Sequence, residues 1–257
     1  MGNICKVGAY NVLSDFDSLR EINGGREVFY NFLSRGYQSE VNEEFLEIVT
    51  SLMPHIEEMA SQTDSASLNA GAKLLAEFVN RWSGLNASDK KELLLELARD
   101  YAYLFLTRAK SVPTCEAVYL SPDHLIKHGP YWQVLQAYQT IGFQAPSDFK
   151  EPEDHIAMQF KFMAILSKKI GRALESGEDE HVFTLAEIQR GFLEEHLNKW
   201  IPQFCRLLID ASEGRNFYRA IAYLTQGFLS IDYEFMQDEI LPGIQAAQRT
   251  ETIQVGD

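Results

Sequence analysis

The chain has 257 residues, 46% hydrophobic and 23% charged, long enough to bury a core without disulfides or metals. Its 37 acidic residues against 23 basic ones leave a net charge of −14, which excludes the basic face of general nucleic-acid binding and opposes docking on an anionic membrane. No apolar run approaches the ~20 residues of a membrane-spanning helix, so stable membrane insertion is not expected.

Residues 1–10 show no basic region followed by an apolar core, so no secretory signal is expected. Met1-Gly2-Asn3-Ile4-Cys5-Lys6 carries Lys6 where a myristoylation site wants Ser or Thr. Cys5, Cys115 and Cys205 form no C-x-x-C pair, which predicts inert thiols in a reducing compartment. A cytoplasmic location follows.

The periodicity is helical from there on. Val28, Phe29, Phe32 and Leu33 make one apolar stripe; Phe45, Ile48, Leu52, Ile56 and Met59 make the next, with a kink or break predicted at Pro54. Leu68, Leu75, Phe78, Val79 and Trp82 follow. Ser88 is the expected N-cap of a helix burying Leu94, Leu97, Tyr101, Leu104 and Phe105. Ser121-Pro122-Asp123 reads as the start of a short helix and Gly129-Pro130 as its stop, with another helix over 131–141. Residues 142–152 hold two prolines, a glycine and little periodicity, and read as a hinge. Helix resumes with Pro152 at its first position and buries Ile156, Phe160, Met163, Leu166, Ile170 and Leu174, ending near Gly177. Thr184-Leu185-Ala186-Glu187 reads as a capping box, and helices over 192–200, 202–211 and 216–232 complete the pattern. The polar tail from Gly243 is expected to fray. The expected fold is all-α, a single globule of about ten helices in two subregions, 1–141 and 153–257, joined by the hinge loop 142–152.

Motifs for phosphate loops, dinucleotide folds, serine hydrolases and zinc proteases are missing from the sequence. His124 and His128 would share one helical face, but a metal site needs further ligands, and surface packing is the plainer reading. The sharpest cluster is Glu151-Pro152-Glu153-Asp154-His155. Carboxylates at a helix start favour the helix dipole, so a well-capped helix accounts for them as a class. A His–carboxylate pair beside a hinge would also serve as a base, a metal half-site or a dock for a cation. Tyr119 and Trp82 are candidates for lining a groove, whereas Phe192, Trp200, Phe204, Phe217, Tyr218 and Phe228 read as core.

Glu151-Pro152-Glu153-Asp154-His155-Ile156 resembles the E-P-x-D-H-[IL] hinge motif of the TorD/DmsD chaperones, relatives of the NarJ group. The segment from Phe192 to Phe204, with His196, Leu197, Trp200 and Pro202, is similar to that family's F-L-x-x-H-L-x-x-W-x-P-x-F stretch. Phe217-Tyr218 with Leu224 and Phe228 looks like its last long helix. Tyr103-Leu104-Phe105-Leu106, Pro113 to Tyr119, and residues 26–33 resemble its earlier elements. Ala117 stands where the family commonly has Ser, and Gln159-Phe160 replaces a usual Glu-Leu; residues 1–25 match nothing usable.

The resemblance implies an all-helical cytoplasmic chaperone and no catalytic residue, resident cofactor or metal. It implies partners too: the twin-arginine signal peptide and the apo catalytic subunit of a molybdenum- or tungsten-containing oxidoreductase, held until its cofactor is inserted. Weak guanine-nucleotide binding is implied by the resemblance alone. Asp154 and His155 become the expected signal-peptide contacts, Glu151 and Pro152 shape the hinge, and Tyr119 and Trp82 line the groove; His196, Trp200, Pro202 and Tyr218 are structural. On this reading Asp154→Ala weakens peptide binding with little change in melting temperature. Exposed Arg–carboxylate pairs contribute roughly 0.2–1 kcal/mol each, whereas burying ~400 Å² of apolar peptide contributes roughly 10 kcal/mol before ordering costs. The groove thus supplies affinity and the carboxylates select arginine. Two other readings compete: a metal- or nucleotide-dependent hydrolase on Glu151, Asp154 and His155, and a helical scaffold without a peptide ligand. The hinge admits either a monomer or a domain-swapped homodimer.

Overall fold

The computed structural model describes residues 16–107, 111–242 and 244. Cys5, the start of the chain and most of the tail after Gly243 lie outside the described residues. Helices α1 (Phe16–Gln38), α2 (Glu43–Ser61), α3 (Ala66–Ser83) and α4 (Ala87–Tyr101) are followed by a π-helical turn at 102–106. Two shorter helices, α5 (Glu116–Leu120) and α6 (Gly129–Gln139), precede the hinge, and α7 (Ile156–Ser176) follows it. Helix α8 (Asp179–Phe192) runs through a π-turn at 193–197 into α9 (Asn198–Ala211); α10 (Asn216–Phe235) ends in a third π-turn at 236–240. The all-α expectation holds. Among the described residues the only strand-like pairing is an isolated antiparallel bridge between Cys115 and His155.

Local capping explains the starts of α2, α3 and α4. Asn42 Oδ1 accepts the Phe45 N–H at 2.9 Å to open α2, and Ser65 Oγ accepts the Leu68 N–H at 3.3 Å to open α3. The cap of α4 is Asn86, which accepts from Ser88 and Asp89 N–H, so the expected cap at Ser88 sits inside the helix. Pro54 does not break α2: the helix runs through it. Thr184 lies inside α8 and donates to Glu180 O, so its capping box does not form. Ser121 closes α5 rather than opening a helix, and Gly129-Pro130 opens α6 rather than stopping one. Proline suits the opening of α6 because a first turn leaves its missing N–H without an intrahelical partner in any case.

Two helix pairs organise the core. Helix α1 packs along α7, and α3 packs along α10. The second pair is close because glycines stand at the crossing. A Cβ on Gly71 would lie 2.8 Å from the Leu224 backbone nitrogen, and one on Gly227 would lie 2.5 Å from that of Leu68. Any larger residue forces the helices apart. Tyr30, Phe45, Phe160, Phe162, Trp200, Phe204, Phe217 and Tyr218 are fully buried in one contiguous core that draws on both sides of the hinge. Cys115 and Cys205 are buried free thiols, and burial pushes both thiols up from their ordinary pKa.

A charged network runs through this core. Arg26 on α1 donates from Nε to Asp232 Oδ1 at 2.5 Å and from Nη2 to Asp232 Oδ2 at 3.0 Å. Its Nη1 reaches Asn23 Oδ1 at 3.0 Å and Gln189 Oε1 at 2.6 Å. The Tyr30 hydroxyl donates to Asp232 Oδ2 at 2.6 Å, and Gln189 Nε2 ties the cluster to Met163 O and Ser167 Oγ on α7. Helices α1, α7, α8 and α10 are thereby locked in one register.

Candidate functional site

The residues singled out at the hinge do come together, and two of them, Asp154 and His155, turn inward. The chain before α5 and the chain before α7 run side by side: Ile156 N–H donates to Thr114 O at 2.8 Å and Glu116 N–H to Asp154 O at 3.2 Å. Asp154 is 0% exposed. Its Oδ2 accepts the Ala117 N–H at 2.8 Å, in the first turn of α5. Its Oδ1 is buried without a hydrogen-bond partner. Burial, reinforced by the Glu116 and Glu153 charges, pushes the Asp154 carboxyl up to about 6 despite the Ala117 bond.

His155 is 3% exposed and caps α7: its Nδ1 accepts the Ala157 N–H at 3.1 Å. Burial lowers its pKa to about 4, so the ring is neutral at pH 7 and can serve as that acceptor. Phe149 meets the ring edge-on at 5.6 Å. Pro152, expected at the first helical position, lies in the loop because α7 begins four residues later. Glu151 is exposed, and Glu153 is half-buried, accepting the Tyr131 hydroxyl at 2.6 Å. Because the carboxylate holds the backbone of α5, Asp154→Ala is now expected to lower the melting temperature as well.

Beneath the hinge lies a network that the sequence reading did not assemble. Glu116 is fully buried; its Oε1 accepts from His196 Nδ1 at 2.8 Å and its Oε2 from Gln159 Nε2 at 2.8 Å. Gln159 Nε2 also donates to Asp154 O at 3.0 Å, and its Oε1 accepts the Trp200 indole N–H at 3.2 Å. The departure from Glu at this position thus has a reason. A carboxylate there would face Glu116 and lose both donated bonds. The departure at Ala117 is harmless for a different reason: what it gives Asp154 is a backbone N–H. Glu116 was missed because its partners lie 43 and 80 residues away.

The remaining candidates divide. Tyr119 is half-buried over Trp200, ring centroids 5.1 Å apart, and donates its hydroxyl to Pro113 O at 2.7 Å. Trp82 stands apart at the end of α3, 4% exposed and capped by the Lys90 ammonium at 4.6 Å, so it is core rather than groove lining. His196 and Trp200 are buried and hydrogen-bonded to Glu116 and Gln159, and Tyr218 is buried against Phe105 and Phe217. Pro202 lies on the exposed side of α9.

Asp154 Oδ2 and His155 Nδ1 are each occupied by a backbone N–H. Among the described residues no group of three His, Cys, Asp or Glu is placed to hold a metal ion. His124 and His128 do not share a helical face: His124 has φ 56° and contacts Val118 O, whereas His128 precedes α6 and pairs with Asp123 at 3.1 Å. No helix is long and apolar enough to cross a membrane among the described residues.

Residues 55–206 match the family model described as nitrate reductase delta subunit. The chain is 27% identical over 232 residues to the chaperone protein TorD of Vibrio cholerae serotype O1 strain M66-2, covering 87% of this chain and 96% of that one. It is 26% identical over 223 residues to the chaperone protein TorD of Vibrio parahaemolyticus, covering 86% and 99%. The TorD of Shewanella sp. strain MR-4 is 28% identical over 225 residues, covering 86% and 98%.

Proposed function

Because the chain belongs to the nitrate reductase delta subunit family, the family of TorD- and NarJ-type chaperones and not of enzymes, we propose that it matures a molybdenum- or tungsten-containing oxidoreductase by binding that enzyme's twin-arginine signal peptide. On this reading it acts in the cytoplasm, holds the apo catalytic subunit until its cofactor is inserted, and needs no cofactor of its own. The ligand peptide carries two arginines beside an apolar segment. That segment, once helical, suits a groove between helices, and the arginines seek carboxylates.

One observation carries the reading: the hinge motif is a built element rather than a loose loop. Asp154 and His155 hold the two helix starts together from inside, and Glu151 is left exposed on the same short segment. Asp154 and His155 therefore act by positioning, and the contact to the peptide passes to the exposed side of the hinge. Calorimetric titration with a synthetic twin-arginine signal peptide, with a lysine-for-arginine control, tests this. Saturable binding weakened in the control is expected. Equal binding of both peptides, or no binding, would overturn it.

A further inference from the structure

Helices α1 and α2 each find their main neighbour elsewhere. Helix α1 packs along α7 and α2 along α3, and between α1 and α2 a groove of about 390 Å³ stays open. Phe32 and Phe45 close its floor, ring centroids 6.0 Å apart and both rings buried. Val28 on α1 and Ile48 and Leu52 on α2 form its walls. All three belong to the apolar stripes whose spacing predicts burial, yet Val28 is 48% and Ile48 46% exposed. Scattered exposed apolar residues are ordinary, but two on facing walls of one groove make a contiguous patch.

The rim of this groove is positive on a protein with a net charge of −14. Arg35 donates to Ser39 O, Glu40 O and Asn42 Oδ1, with its guanidinium 4.8 Å from the Phe45 ring centroid. Lys161 on α7 donates from Nζ to Asn31 Oδ1 at 2.8 Å. These acceptors are all neutral, and neither cation makes an ion pair among the described residues. Each is thus held in place with its charge unmatched. No carboxylate lines the groove: Glu27 is drawn to Lys168 at 3.5 Å, and Glu44 stands in the first turn of α2 outside the lining. Such a local field repels arginines and attracts carboxylates. Shape then separates a compact ligand from a chain. A small-molecule pocket encloses most of its ligand, whereas this groove runs open along α1 from Val28 to Gln38, about three turns or ~15 Å. That form suits the apolar stripe of a helix laid between two others.

We propose that the groove between α1 and α2 docks an amphipathic helix of a partner protein, its apolar stripe on Val28, Ile48 and Leu52 and its flanking carboxylates on Arg35 and Lys161. The surface is additional to the one that takes the signal peptide, and its chemistry does not depend on that reading. Both walls stand on long helices over a packed floor, so docking orders the ligand and little else.

The probe is a synthetic amphipathic peptide with leucines along one helical stripe and glutamates beside it, set against the same peptide with lysine for glutamate. In a methyl-labelled NMR titration the signals of Val28, Ile48 and Leu52 are expected to move saturably with the glutamate peptide and not with the lysine peptide. Ile48→Glu, at a half-exposed position, is expected to weaken that binding about tenfold, and Lys161→Gln about threefold, with the melting temperature unchanged. Equal binding of both peptides, no binding, or methyl shifts at Leu125 and Ile126 instead would overturn the proposal. So would decanoate moving the groove methyls while the peptide stays silent, which makes this a site for a small amphiphile. A wild-type dimer in sedimentation that Ile48→Glu splits would equally overturn it, because the face is then a contact between copies. The twin-arginine peptide is expected to bind Ile48→Glu as it binds wild type; weakened binding would hand the groove to the signal peptide and sink the proposal. Failure of that peptide on wild type, with the glutamate peptide still bound, overturns the chaperone reading and leaves the groove standing.

Discussion

Every side-chain nitrogen of Arg26 has an acceptor, and both oxygens of its partner Asp232 are used; at the hinge, Asp154 keeps one buried oxygen with no donor. Both carboxylates are almost wholly buried. The core network joins four helices with a charge matched by a charge. The hinge network joins two helix starts with a carboxylate matched only by a backbone N–H. The difference teaches what each is for. A fully paired buried ion pair fixes one arrangement and resists change, whereas a half-satisfied carboxylate keeps its ionisation costly and the segment above it responsive.

Breaking the core network should have the largest effect. Arg26→Ala leaves Asp232 buried and uncompensated, and is expected to cost about 3–5 kcal/mol. Chemical denaturation would read this, and a loss under about 1 kcal/mol would mean that the network is not the fastener described here.

The hinge should reveal itself next, through pH. Asp154 is raised from its ordinary value of 3.8 to about 6, so between those values the folded chain holds a proton that the unfolded chain has lost. That contribution makes stability fall as pH rises. His155 is lowered from 6.5 to about 4, so across that range the unfolded chain holds the extra proton and stability rises with pH. The two slopes oppose and nearly cancel between about pH 4 and 6. Asp154→Asn should uncover the His155 slope: relative to wild type, about 2–3 kcal/mol of stability is lost on acidification from pH 6.5 to 4. His155→Asn should do the reverse, gaining on wild type as pH falls from 6 to 4. Parallel pH profiles for all three proteins would contradict the opposition.

A charge placed inside the hinge network sharpens the contrast further. Gln159→Glu sets a second carboxylate against Glu116 and removes the Nε2 donor, with an expected loss of about 2 kcal/mol at neutral pH. Glu116→Gln in the same chain should recover part of it, because the repulsion is then gone; a thermal-melt double-mutant cycle measures the coupling. The smallest effect belongs to the cap. His155→Ala removes the acceptor for Ala157 N–H and should cost about 1 kcal/mol, with His155→Asn recovering most of it.

Much of this was legible in the sequence because it is local. Apolar spacing placed the helices, and the cluster from Glu151 to His155 stood out as a group beside a hinge. The misread boundaries share one cause. Ser88, Ser121 and Thr184 each have a capping side chain, but whether it caps depends on where the preceding chain turns, and Asn86 began α4 two residues earlier. Pro54 and Pro152 likewise have the right chemistry for a break and a helix start, yet packing carried α2 through the one and placed the other in a loop.

What the sequence by itself determined is the all-helical class, the acidic surface, the hinge motif and the family resemblance, since each resides in residue types and their spacing along the chain. Tertiary structure alone decided that Asp154 faces inward and Glu151 outward, and that Gln159 serves Glu116 and Trp200 at once. The Gln159 pairings join residues 41 and 43 positions apart, and burial, which sets their charge and their partners, exists only once the helices have packed.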